Sequence, residues 1–357
     1  MNLLYAYRYG IVGGVATQLL LRRRALQHTG TRCELFFSQD NGLRQVLNDS
    51  DGVHFGSGAV FSRLLRVGRF DAVVVIDSPE LLQLAAGPFY RRNAVFLDVH
   101  TTTRTGLAYL SDIRPARLAG VMVPTRYSAQ LVASKLPATN KIAVVPNILD
   151  GETFSASPAS PDCPTKLNPQ RCRREFVWVG KLDYHKNWRL ALVYAAMLRD
   201  MFGDVHLYMV GGYTAPTHQA EAFFELAYRL GISHCVDWLD RIGNEELVDL
   251  YRRCGSTGGA MLVTSRDESF GMAAAEALLC GCPLITNDLP VLREVFPDSP
   301  LVQRVDIWQP EQVRAAAQAL ENTPAIDEVA RVHQALTQRY GPQVYVESLN
   351  KLLTEAR

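Results

Sequence analysis

The sequence predicts a doubly wound, parallel α/β protein built as two domains, and three observations carry that prediction. Short apolar runs alternate with helical stretches, and several runs, such as AVVVI at 72–76, are continuous, as suits strands covered on both faces. The rhythm breaks once, over residues 151–175, and then restarts. A chain of 357 residues also exceeds what one hydrophobic core usually serves.

Residues 1–150 form the expected first domain, with strands at 3–6, 34–37, 72–76, 94–97, 120–123 and 142–145. A helix over 15–28 turns its leucines to the core and is expected to expose Arg22, Arg23 and Arg24. The stretch GETFSASPASPDCPTKLNPQRCRRE, 151–175, holds four prolines and little periodicity, so it reads as a linker or surface insertion. The second domain, 176–335, carries strands at 176–179, 207–210, 236–239, 261–263 and 284–286. A helix at about 186–199 follows the first of these, and one at 272–279 precedes the last. Residues 336–357 end in YGPQVYVESLNKLLTEAR, a break followed by an amphipathic helix. Two such domains imply a cleft between the carboxyl ends of their strands, where ligands bind.

Composition is that of an ordinary globular protein: 48% hydrophobic, 20% charged, formal net charge +1. Nothing in it suggests disorder or a nucleic-acid partner. Charge is unevenly divided, with 17 Lys and Arg against 10 Asp and Glu in residues 1–150, and 20 against 26 in the rest. The basic half suits an anionic substrate or an anionic membrane surface, or simply a solvated face. Seven cysteines include no C-x-x-C pair or zinc spacing, and Cys280 and Cys282 lie in an apolar run as small hydrophobes. A reducing compartment follows. The chain opens on the strand-like NLLYAY without the pattern of a secretory signal, and no apolar stretch approaches the ~18 residues of a membrane span. A cytoplasmic location is expected, with peripheral contact at the inner face of the cell membrane left open.

Four segments carry candidate chemistry. The first strand runs into YRYGIVGGVATQL, where Gly13 and Gly14 precede a helix whose first amides lack partners; such a turn accepts a phosphate or admits a sugar to the backbone. Its spacing is not the G-x-G-x-x-G of a nicotinamide site. In the second domain WVGKLDYHKN places Lys181 and Lys186 on one strand-to-helix loop, where two ammonium groups can face a diphosphate or be merely solvated. The turn MVGG, containing Gly211, ends another strand. The fourth is SRDESFGMAAAEALLCGCPLITNDLP, 265–290. Glu268 lies on its loop, placed to accept sugar hydroxyls, and Phe270, Gly271 and Met272 open a helix whose amides attract phosphate. Glu276 is a lone carboxylate among alanines and leucines, costly to bury unpartnered. It either holds a vicinal diol such as a ribose or pairs with an arginine such as Arg266.

Taken together, GGV after the first strand, VGKLDYHKN, and ESFGMAAAEAL followed by GCPLITND resemble the retaining glycosyltransferases of family 4 across essentially the whole chain. The most specific part is the E-x7-E pattern from Glu268 to Glu276, and VVPNILD resembles the junction before the second domain. The resemblance implies the GT-B fold: two Rossmann-like, doubly wound parallel-sheet domains facing across a cleft, the last helix crossing back to the first. It implies metal-free transfer of a hexose from a nucleoside diphosphate sugar, UDP favoured over GDP or ADP, to a hydroxyl with retained anomeric configuration. The donor is then a substrate, and neither cofactor nor metal is expected.

Carried across residue by residue, the resemblance gives Gly14, with Gly13, to the donor phosphates or transferred sugar. Lys181 and Lys186 go to the diphosphate, Glu268 to the sugar hydroxyls and Glu276 to the ribose. Phe270, Gly271 and Met272 supply backbone amides, and the base lies near Gly211 and Arg241. His100, after AVFLDVH, matches the first-domain histidine on the sugar and acceptor side. Two positions depart from the pattern: Lys181 stands where an arginine is usual, and Glu268-Ser269-Phe270-Gly271 replaces EGFG. The lysine keeps the charge and loses the bidentate fork. The acceptor is a glycan, a lipid-linked glycan or a small molecule. Competing readings are a sugar-nucleotide epimerase or a phosphorylase on the same fold, and a non-catalytic nucleotide-sugar-binding protein. The single Asp-x-Asp, Asp49 to Asp51, reads as a polar turn before no evident strand rather than a metal motif.

Overall fold

The computed structural model describes residues 1–47, 49–87, 94–114, 117–136, 142–156, 174–320 and 325–355. These fall into two compact units, one of Met1–Ile148 with Tyr340–Arg357, the other of Leu149–Arg339. Most of the 151–175 stretch expected to be a linker lies outside the described residues, and its last two residues already belong to a strand.

The first unit is a seven-stranded, wholly parallel sheet. Its strands are β1 (Asn2–Gly10), β2 (Arg32–Asp40), β3 (Val53–Phe55), β4 (Ala72–Ile76), β5 (Ala94–Asp98), β6 (Gly120–Val123) and β7 (Ile142–Val144). They lie in the order β3-β2-β1-β4-β5-β6-β7. Because strand side chains alternate, the sheet feeds two apolar layers. Leu3, Tyr5, Val74 and Ile76 point into one, covered by α1 (Gly14–Gln27) and α12 (Pro342–Glu355), which contribute Leu19, Leu26, Tyr345 and Leu349. Leu4, Ala6, Val73 and Val75 point into the other. There Phe61 and Leu65 of α2 (Gly58–Val67) and Leu81 and Leu82 of α3 (Pro79–Ala85) pack against them. Each fully buried side chain of this kind contributes about 1.5–3 kcal/mol.

The second unit repeats the design with six parallel strands in the order β10-β9-β8-β11-β12-β13. They are β8 (Arg174–Val179), β9 (Val205–Val210), β10 (Val236–Leu239), β11 (Met261–Val263), β12 (Leu284–Asn287) and β13 (Val302–Val305). Phe176, Trp178, Leu207 and Met209 meet α5 (Trp188–Phe202), including Trp188, Leu192 and Leu198, in one apolar cluster. In both units the order reverses beside the first strand: β1 lies between β2 and β4, and β8 between β9 and β11. The crevice beyond the carboxyl ends at such a switch point is where open α/β sheets bind ligands.

Three expectations need correction. Arg22 is fully buried and Arg23 nearly so; of the three arginines only Arg24 is exposed. α1 turns residues 22 and 23 inward because acceptors wait there: Asp98 for Arg22, and Asp49 with the Asp51 carbonyl for Arg23. The Asp49–Asp51 turn is therefore tied to α1 and leads directly into β3. Finally, Lys186 does not open a helix. Asn187 takes left-handed backbone angles (φ 54°) at the N-cap, and α5 starts at Trp188. Asparagine is among the few residues that tolerate that conformation.

Candidate functional site

The donor-side residues expected from sequence gather at the carboxyl ends of β8, β9 and β11. Gly180 ends β8's exit, and the following loop carries Lys181, exposed and without an ion-pair partner among the described residues. Asp183 Oδ1 accepts the Lys186 amide at 2.8 Å, which folds the loop back. Lys186 Nζ then lies 2.5 Å from Glu268 Oε1, to which Ser265 Oγ also donates at 2.8 Å. Two loops distant in sequence are thus joined by a charge-assisted bond. A second tie runs alongside: Arg266 N donates to the His185 carbonyl, and its guanidinium lies over the Tyr184 and Trp308 rings. Arg266 also donates to Asn187, and no ion pair joins it to Glu276, so the arginine partner considered for that carboxylate is excluded.

Helix α8 (Met272–Leu279) starts beyond Gly271, whose φ of 90° suits glycine alone. Phe270 is buried, so only its backbone can serve a ligand, while Met272 is half-buried. Glu276 sits on the fifth residue of α8 beside buried Ala275 and Ala277. Desolvation, followed by the charge of Asp150, pushes its carboxyl up to about 8. Gly211 has φ 105°, and a Cβ there would come within 2.4 Å of the Gly180 carbonyl oxygen. Trp238 Nε1 donates to the Gly211 carbonyl at 2.7 Å, fixing this turn beside the exposed Arg241.

In the first unit, Gly13 and Gly14 stand at the N-terminus of α1, and a Cβ on either would meet nothing within 4 Å. No packing demand of the described chain requires glycine at either position. His100 follows β5 and is nearly buried. Its amide donates to Asp77 Oδ2 at 2.9 Å, and its Nε2 lies 3.1 Å from Asp98 Oδ2. The same Asp98 oxygen accepts from Arg22, and the two basic groups hold its carboxyl far below the usual carboxylate range against the opposing effect of burial. Asp77 also accepts from Thr101 N and Tyr109 Oη, and burial nevertheless raises it to about 6. Sequence reasoning missed Asp77, Asp98, Arg22 and Asn147. Only the D-V-H triplet hinted at the Asp98–His100 pair, because the other contacts cross 23 to 125 positions.

A pocket of about 250 Å³ opens on this unit along Pro79, Leu82, Tyr109, Arg114 and Arg117. None of the residues selected from sequence lines it. Among the described residues no group of three or more His, Cys, Asp or Glu side chains is placed to hold a metal ion.

Residues 164–328 match the family model described as Glycosyl transferases group 1. A D-inositol 3-phosphate glycosyltransferase of Corynebacterium diphtheriae is 36% identical over 110 residues, 30% of this chain and 25% of that protein. A 2-deoxystreptamine glucosyltransferase of Streptomyces kanamyceticus is 26% identical over 171 residues, 47% of this chain and 42% of that protein. The chain thus spans a quarter to about two fifths of the length of these curated relatives. The crystal structure of Anabaena HepE in complex with UDP and glucose superposes with a TM-score of 0.80 at 14% identity, covering 99% of each chain. Residues 164–328, within the second unit, are thus similar in sequence to the glycosyl transferases group 1, and the chain carries the GT-B fold.

Proposed function

We propose that the protein transfers a hexose from a nucleoside diphosphate sugar, UDP favoured, to an acceptor hydroxyl with retention of anomeric configuration. The observation that carries this reading is the convergence of Lys186, Glu268 and the Gly271 entrance of α8 on one switch point of the second unit. An ammonium has three protons, so Lys186 can keep its bond to Glu268 and still donate to a departing diphosphate. Charge accumulates on that diphosphate as the glycosidic bond breaks, and Lys186, Lys181 and the α8 amides stabilise it. Glu268 keeps one carboxylate oxygen beyond those bonds for a sugar hydroxyl, and Glu276 holds the ribose diol. His100 serves the sugar and acceptor side.

Both curated relatives are named for cyclitol substrates, which puts small cyclitols and their phosphates first in an acceptor panel, ahead of glycans and lipid-linked glycans. The case for peripheral contact with an anionic membrane weakens, because Arg22 and Arg23 are engaged inside the fold. No described helix is long and apolar enough to cross a membrane. The test is a calorimetric screen of nucleotide sugars followed by acceptor assays reading nucleoside diphosphate release and product mass. Release that requires an acceptor supports the reading. Conversion of the donor without one indicates an epimerase, consumption of inorganic phosphate a phosphorylase, and binding without turnover a non-catalytic role.

A further inference from the structure

The LLLRRR stretch of α1 finds its use inside the first unit. Arg22 is fully buried, and so is Asp98, whose Oδ2 lies 2.5 Å from Arg22 Nη1 and 3.1 Å from His100 Nε2. The second guanidinium nitrogen lies 3.3 Å from Asn147 Oδ1, and the plane covers the Tyr345 ring, 5.1 Å from its centre. Tyr345 comes from α12 and is hydrogen-bonded through its hydroxyl to Tyr5 of β1. Arg22 therefore has one position, fixed by three elements. A buried ion pair is poor evidence of stabilisation, since apolar replacements of equal volume often do as well. Among the described residues the Asp98 side chain bonds to Arg22 and to His100.

We propose that Asp98, locked by Arg22, is a positioning residue that fixes the orientation and tautomer of His100. Hydrogen-bond chemistry gives the direction. Arg22 is only a donor, and Asp98, ionised by its two neighbours, is only an acceptor. The His100 nitrogen facing Asp98 must then carry the proton, so a neutral His100 is the Nε2–H tautomer. Arg22 Nη2 lies 3.5 Å from the same nitrogen, at the outer limit of a hydrogen bond, so the shorter 3.1 Å contact to the Asp98 carboxylate decides where the proton sits. Nδ1 makes no hydrogen bond to the described residues and is left as a lone pair. The backbone is held separately, by the bond from the His100 amide to Asp77, so main chain and ring rest on different carboxylates. His100 is thereby set to accept a hydrogen bond or proton from a hydroxyl through Nδ1, with Asp98 stabilising any positive charge that forms. This deepens the proposed transfer reaction and rests on that reading only for the identity of the hydroxyl.

The test reads the ring directly, in the full chain, by long-range ¹H–¹⁵N correlation of histidine side chains, with Arg22→Met/Asp98→Leu as the main comparator. The double change removes both buried charges together, so neither is stranded. Wild type is expected to show neutral His100 as a single Nε2–H tautomer. Asp98→Asn keeps the acceptor oxygen and should keep that tautomer wherever it folds. The double variant, checked by its melting curve, should show averaging between tautomers. In transfer assays its kcat should fall at least tenfold while donor KM stays within about twofold. A mixed tautomer in wild type, or a single Nε2–H tautomer retained in the folded double variant, overturns the proposal. Because the spectra need no substrate, the loss of the transferase reading alone would leave this result standing.

Discussion

Binding of a nucleoside diphosphate at pH 7 should release close to one proton from Glu276. The carboxyl is half-buried on α8, has no ion-pair partner among the described residues, and is raised from 4.5 to about 8 by desolvation and then Asp150. At pH 7 roughly nine in ten copies of the free protein then hold the proton. A ribose diol offers two donors, which a carboxylate accepts fully and a protonated carboxyl only in part. Occupancy therefore pulls the carboxyl back below neutrality and expels up to about 0.9 proton. Calorimetric titration of UDP in two buffers of different ionisation enthalpy measures this number. Glu276→Gln provides the background from the phosphates themselves. A wild-type value equal to that background would refute the ribose assignment. The free protein has a matching signature. A folded pKa above the unfolded one means stability that is full below about 4.5 and lost as pH rises toward about 8. Allowing for the partial exposure of the group, the slope is about 1 kcal/mol per pH unit, and Glu276→Gln should flatten it in denaturant melts.

Lys186→Ala should lower kcat about 10²–10³-fold, the scale of one lost charge-stabilising donor, with an unchanged rate arguing that the Glu268 pairing is only structural. Gly14→Ala should leave the melting temperature within a degree or so, because its Cβ meets nothing, yet impair donor turnover; full turnover would remove the ligand from that space. Gly211→Ala should instead destabilise the fold by about 2 kcal/mol or more, through its φ of 105° and the clash with Gly180, read as a lowered melting temperature. Asp77, raised to about 6 by burial, favours the fold most below pH 3.8 and loses that contribution as pH climbs through 6. Asp77→Asn should abolish this part of the pH profile of stability, and a profile identical to wild type would show that Asp77 ionises normally.

Sequence pattern reached most of the architecture because both sheets are parallel and buried on two faces, so strands such as 72–76 and 120–123 are unbroken apolar runs. The two strands it missed are edge strands. β3 is three half-buried residues, and β13, VQRV, is polar at its centre, so neither has an apolar run to detect. Periodicity also placed Arg22 wrongly. It weighs a residue by its own polarity, and the acceptor that makes burial tolerable lies 76 positions away. Likewise the charges in KLDYHKN showed a loop suited to phosphate, but the turn that delivers Lys186 to Glu268 depends on Asp183 and on the left-handed Asn187. Local pattern therefore singled out Glu268, Glu276 and Lys186 as candidates, whereas the contacts that hold His100, its near neighbour Asp98 aside, come together only through tertiary folding.

The fate of the anomeric carbon tests the proposed retaining transfer most directly. Incubating the protein with a ¹³C-labelled UDP-hexose and an accepted hydroxyl, and following the anomeric signal by NMR, tests donor use and stereochemistry at once. The expected result is stoichiometric UDP and a product whose anomeric configuration matches the donor's, both lost in Lys186→Ala and Glu268→Ala. An inverted product, or transfer undiminished in those two variants, would contradict the proposed use of this site.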